Sequence, residues 1–156
     1  MERGISPAAL ATRQSSARTA LLAAGGAFAI SVLAVVISVV FLRWRSKEQL
    51  RVLDMRRQRC ERGEAEACDQ LRSACLKRSG EACFALAGAL LAQGPRRDVR
   101  EGARLLGDAC TYRHVEACHR AGTLLLEGTL VPKNEAEGRA LLARACELGM
   151  TQDCGK

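Results

Sequence analysis

Aromatic side chains are scarce: 156 residues hold one Trp, one Tyr and three Phe. Beyond residue 59 only Phe84 and Tyr112 remain. That is too few stacking rings for nucleic-acid binding, which interleaves aromatics with a basic face. The basic face is missing there as well. Residues 60–156 carry 14 Lys+Arg against 14 Asp+Glu, whereas residues 1–59 carry 10 against 3, so the formal charge of +7 belongs to the first part. No stretch alternates apolar and polar residues with period two, which leaves no candidate strand. Closely spaced cysteines are lacking too: there is no Cys-x-x-Cys redox motif, no Cys-x-x-Cys-His haem site and no Cys-x2-4-Cys zinc half-site. Neither Ser-x-x-Lys, Ser-Asp-Asn nor Lys-Thr-Gly occurs, so no catalytic residue is assigned and the chain is not read as an enzyme. Neither a cofactor nor a metal is implied. With 48% hydrophobic and 26% charged residues, the chain is not of the disordered or low-complexity kind.

One long apolar run is present. Residues 21–42 form 22 positions without a charge, roughly 33 Å as a helix against a hydrocarbon core of about 30 Å. Arg43, Trp44, Arg45 and Lys47 follow it, cations and an indole of the kind found at a membrane interface. A cleaved signal peptide would have a shorter apolar core and a small-x-small site, where this chain has Phe41, Leu42 and Arg43. The expectation is an uncleaved single-pass anchor at 21–42, between a tail (1–20) and a basic juxtamembrane segment (43–59). Arg43, Arg45, Lys47, Arg51, Arg56, Arg57 and Arg59 in that segment suit either anionic headgroups or a solvated helix face.

From residue 60 onward the chain repeats itself. EGARLLGDAC, ending at Cys110, matches EGRALLARAC, ending at Cys146, at six of ten positions with a shift of 36. Glu-Ala-Cys recurs at 66–68, 81–83 and 116–118, and Ala-Cys at 74–75, 109–110 and 145–146. A period in the mid-thirties is the signature of stacked helical hairpins. Asp98 with Glu101, and Asn134 with Glu137, are helix starts in which the first side chain caps an orphan N–H. Gly94, Gly128 and Gly149 stand where helices stop. The pattern predicts helices near 46–61, 65–77, 81–93, 98–112, 116–127 and 134–148. The expected fold class is all-α: a transmembrane helix followed by a short α-solenoid at 60–156.

All eight cysteines fall into Cys-x7-Cys pairs: Cys60 with Cys68, Cys75 with Cys83, Cys110 with Cys118, and Cys146 with Cys154. In this layout one cysteine ends a helix and the next begins its successor, close enough for a bridge across the turn. Pairing within one helix fails, since Cys68 and Cys75 would lie about 10 Å apart by rise alone. Each nine-residue loop would contribute roughly 2.5 kcal/mol, so four approach the ~5–15 kcal/mol of a whole domain. Buried free thiols are the alternative use of cysteine, and eight cysteines allow 105 pairings. Cys110-x3-His114-x3-Cys118-His119 is the one ligand-like string. His114 and His119 are candidate acid/base or ligand groups, or else exposed polar residues. Glu135 and Glu137 read as a charged first helical turn.

These residues resemble the Sel-one-like repeat (SLR) family, relatives of the tetratricopeptide arrays, and its cysteine-rich bacterial branch in particular. Cys110, Cys118, Gly122 and Gly128 match the family's run, followed by Asn134 and the helix 137–146; Cys75, Cys83 and the helix 102–110 match with Ala87 and Gly94 slightly displaced. Leu90 and Leu125 stand where the family often has Tyr. The resemblance covers roughly 60–156. It implies disulfides at the four pairs and a scaffold that binds a protein or peptide. Some cysteine-rich relatives carry a β-lactamase label, which makes a cell-envelope hydrolase the alternative function, and a cytoplasmic-facing thiol or metal module is a third. The basic flank at 43–59 favours a cytoplasmic domain, whereas a disulfide framework favours an oxidising space. The paired cysteines carry more weight, so the expectation is an inner-membrane protein with its C-terminal domain outside the cytoplasm.

Overall fold

The computed structural model describes the backbone of residues 7–155 and the side chains of residues 32–155. Among these residues the chain is all-helical, with no strand. Six α-helices follow one another: α1 (Pro7–Glu61), α2 (Ala65–Leu76), α3 (Gly80–Leu91), α4 (Val99–Thr111), α5 (Val115–Glu127) and α6 (Glu135–Glu147). A short 3-10 turn, Thr151–Asp153, comes last. The chain divides into two compact units, Met1–Lys47 and Glu48–Lys156.

The first unit corrects one expectation. No helix among the described residues is long and apolar enough to cross a membrane. The described part of the apolar run, 32–42, has 11 residues before Arg43. That is roughly 16 Å of helix, about half of a hydrocarbon core. The side chains of the remaining part of the expected span, 21–31, and of the 1–20 tail lie outside those described.

In the second unit each helix packs on its neighbours in sequence, α2 on α3, α3 on α4, α4 on α5 and α5 on α6. The helix ends lie close to those the sequence predicts because the local signals are real. Asp98 caps α4 by accepting from Glu101 N–H at 3.0 Å, and Asn134 caps α6 by accepting from Glu137 N–H at 3.2 Å. Gly128 ends α5 in the left-handed region at φ 68°. The core is aliphatic and small: Leu71, Leu86, Leu105, Leu106 and Leu142 are buried among alanines and cysteines.

Two interfaces close by backbone approach. A Cβ at Gly122 on α5 would meet Gly138 O on α6 at 2.8 Å, and one at Gly138 would meet Gly122 O at 3.0 Å. Between α3 and α4, a Cβ at Gly102 would meet Leu91 Cγ at 2.8 Å and Ala87 O at 3.3 Å. These glycines let two helices lie closer than any side chain would permit.

Candidate functional site

The repeated unit of this chain is a bridged turn. Disulfides join Cys60–Cys68, Cys75–Cys83, Cys110–Cys118 and Cys146–Cys154, with Cα atoms 4.8, 4.6, 4.6 and 5.0 Å apart. No free cysteine remains. Three residues after the first cysteine of each pair the backbone enters the left-handed region: Gly63 at φ 98°, Arg78 at 65°, Arg113 at 67° and Gly149 at 112°. The N–H of each of these residues donates to the carbonyl of the preceding cysteine, at 2.8–2.9 Å. The next N–H reaches back five residues, as in Glu64 to Arg59 O, Ser79 to Ala74 O, His114 to Ala109 O and Met150 to Ala145 O. This is the paired hydrogen-bond pattern of a helix C-cap that needs a left-handed residue. It turns the chain back within three residues and sets both cysteines at bridging distance.

Ser79 and His114 then cap the following helices, Ser79 Oγ accepting from Ala82 N–H and His114 Nδ1 from Ala117 N–H, both at 3.2 Å. His114 is half-buried against Phe84, the two rings stacking at 4.3 Å, and the Arg120 guanidinium lies over the Phe84 ring, 4.8 Å from its centroid. Burial holds the His114 imidazole below the ordinary histidine pKa; Glu81 and Glu116 pull the other way, with less effect.

A concavity of about 230 Å³ opens beside this cluster, lined by Leu91, Leu106, His119, Arg120, Thr123 and Leu124. His119 Nδ1 lies 2.8 Å from Asp153 Oδ2, and the Asp153 side chain is buried. Arg120 Nε donates to Glu116 at 3.0 Å. A second concavity, about 280 Å³, lies between α4, α5 and α6, where Leu124 lines it together with Leu125, Val131 and Leu141. Each is lined mainly by apolar side chains with a few polar ones, and both are smaller than the roughly 300–1,000 Å³ of a typical small-molecule site.

The two histidines are not brought together as a pair: His114 caps α5 and His119 holds Asp153. The ligand-like string around them is taken up by the Cys110–Cys118 bridge, and among the described residues no group of three or more His, Cys, Asp or Glu could hold a metal. Glu135 pairs with Lys133 at 2.8 Å and Arg139 at 3.0 Å, which lowers its carboxyl pKa, and Glu137 accepts from Asn134 Nδ2 at 2.9 Å. Arg43, Arg45 and Lys47 are exposed, as are Arg51 and Arg59. Within the same segment Arg51 pairs with Glu48 and Arg57 with Asp54, and Arg59 pairs with Glu64 in the turn beyond it. Leu90 is buried and Leu125 half-buried.

Asp153 is the residue that sequence reasoning missed, though a signal for it exists. It stands one residue before the second cysteine of its pair, where the other three units have Ala67, Ala82 and Ala117, all fully buried. A carboxylate in a slot otherwise reserved for buried alanine needs a partner, and His119 supplies one. No protein-family model, no curated protein and no solved structure matches this chain.

Proposed function

We propose that this chain is a disulfide-stapled scaffold of the SLR kind, a short α-solenoid presenting the apolar concavities beside α5 to a protein or peptide segment in an oxidising, extracytoplasmic compartment. The observation that carries the reading is the bridged turn, built four times with the same hydrogen bonds. Helices stacked one on the next expose a continuous surface better suited to binding than to chemistry. The bridges also stiffen that surface in advance, which lowers the entropy cost of binding. Disulfides at every repeat have little use where thiols stay reduced.

The test selects peptides from a random displayed library on the full oxidised chain and measures their affinity by calorimetry. Leu124 lines both concavities, so Leu124→Glu should weaken the selected peptides at least tenfold. A library that yields no binder, or binders indifferent to Leu124→Glu, would overturn the proposal. Hydrolysis of a β-lactam-like envelope substrate has one observation in its favour, the imidazole of His119 held by a buried carboxylate beside a cavity. Nitrocefin turnover that disappears in His119→Ala would support it, and absence of turnover in the full oxidised chain removes it.

A further inference from the structure

The four bridges differ in what surrounds them. Cys60, Cys68, Cys75, Cys83, Cys110 and Cys118 are all buried, at 7% exposure or less. In the fourth bridge Cys146 is half-buried and Cys154 is exposed. This bridge also ties a different kind of element, joining the end of α6 to the 3-10 turn rather than to another α-helix. Its second cysteine directly follows Asp153, whose buried carboxylate meets His119 Nδ1 from 34 residues away in sequence. His119 in turn lines the concavity beside Leu106 and Leu124.

We infer that Cys146–Cys154 is a thiol–disulfide exchange site, open to a dithiol reductant, and that its state sets the position of His119 in the cavity wall. Exchange requires a thiolate to reach a sulfur along the S–S axis, so access selects which bridge reacts. The incoming thiolate bonds to the sulfur of Cys154, the exposed residue of the pair, and Cys146 leaves as a thiolate that takes up a proton. The second thiol of the reductant then attacks its own sulfur in the mixed disulfide and expels Cys154. The dithiol is oxidised by two electrons, and both cysteines end as thiols.

Reduction removes the cross-link that holds residues 151–154 against α6, leaving a turn of backbone hydrogen bonds such as Met150 N–H to Ala145 O at 2.9 Å and Asp153 N–H to Met150 O at 3.0 Å. A single short turn is marginal on its own, and without the cross-link it depends on contacts such as that of Asp153 with His119. Asp153 then leaves its alanine-sized slot, and His119 loses the carboxylate that fixes its ring orientation and tautomer. The inference concerns the state of the cavity wall and is independent of what the cavity binds.

The experiment uses the full oxidised chain. Dithiothreitol is added, samples are quenched with iodoacetamide at intervals, and labelled cysteines are mapped by peptide mass. Cys146 and Cys154 should be labelled at least tenfold faster than the other six. In the same samples, with ¹⁵N-labelled histidine, the ring signals of His119 should shift when this bridge alone is open while those of His114 stay in place. Asp153→Asn in the oxidised chain should move the His119 signals with all four bridges intact. Equal labelling of all bridges, earlier labelling of a buried one, or unchanged His119 signals in the singly reduced chain would overturn the inference. The variant is a supporting probe; timed labelling of the unaltered chain decides the matter if Asp153→Asn does not fold.

Discussion

Replacing one glycine by alanine at two positions of this fold should have opposite effects, because the two sites differ only in what a methyl group would meet. Gly107 lies inside α4, and a Cβ there has nothing within 4 Å. Gly122 lies inside α5, where the Cβ would stand 2.8 Å from Gly138 O and 2.8 Å from Leu142 Cγ. Both substitutions gain the same intrinsic helix preference, roughly 0.5–1 kcal/mol, and change the unfolded chain in the same way. Gly107→Ala should therefore raise stability by about that amount. Gly122→Ala takes the same gain and sets against it an overpacking cost of about 1–3 kcal/mol. Relief is restricted, since the nearest atom belongs to the α6 backbone and Leu142 is itself buried at 2% exposure. The difference between the two variants isolates the packing cost, with Gly122→Ala the less stable by at least ~1 kcal/mol. Urea denaturation of the full chain with its disulfides intact, followed by circular dichroism, measures it. At an m-value of about 1–2 kcal/mol/M the midpoints should separate by roughly 0.5 M or more. Coincident midpoints would refute the claim that α5 and α6 are held together by backbone approach.

Two further outcomes follow from the turns and caps. Arg78 and Arg113 occupy the left-handed position that Gly63 and Gly149 fill without strain, so Arg78→Gly and Arg113→Gly should each stabilise the chain by up to about 1 kcal/mol, read as a raised thermal midpoint; a loss of stability would show that the arginine side chains matter more than the backbone. His114 is held below the ordinary histidine pKa by burial, so the unfolded chain binds a proton more readily than the folded one. Its contribution is fully present above the ordinary value of about 6.5 and is lost as pH falls from there through the depressed folded value. Between pH 7.5 and 5.5 the urea midpoint should fall in the unaltered chain and fall less in His114→Asn, which keeps a capping oxygen and does not titrate; parallel slopes would exclude His114 as the cause.

Much of this architecture was legible in the sequence because its signals are local. Asp98 and Asn134 announce helix starts through their own hydrogen bonds, and the Cys-x7-Cys spacing matches a three-residue turn between helices. The turns themselves were half legible. Glycine marks the left-handed residue at 63 and 149, but arginine fills the same place at 78 and 113, where a composition rule finds nothing. Helix α1 begins far earlier than residue 46, since the apolar run at 21–42 reads as a segment of its own. Contacts between repeats within the second unit were not legible at all. His119 and Asp153 are 34 residues apart, and only a comparison of equivalent positions, Asp against three alanines, points to Asp153. The stacking of His114 on Phe84 gives no sequence signal, because a capping histidine and an exposed one look alike until a ring is packed against them.

The interfaces of the second unit use two different devices, and this division predicts how the fold comes apart. The junctions α1–α2, α2–α3, α4–α5 and α6 with the 3-10 turn are each closed by a disulfide. The junctions α3–α4 and α5–α6 have none, and rely on Gly102 against Ala87 and Leu91, and on Gly122 against Gly138. Their connecting loops are also tied down by the backbone, through Asp98 N–H to Leu90 O and Asn134 N–H to Leu125 O, both at 2.9 Å. Opening all four bridges withdraws about 10 kcal/mol of loop-closure stabilisation on the chain-entropy model, and withdraws it unevenly. Helix α2 is bridged at both ends and holds no glycine contact of this kind, so it depends most on the disulfides. In amide hydrogen exchange of the reduced, alkylated chain, α2 and the 3-10 turn should lose protection first, while the α3–α4 and α5–α6 pairs retain it longest. A single uniform loss across all helices, or earlier loss from α3–α4, would mean that the glycine interfaces hold nothing without the bridges.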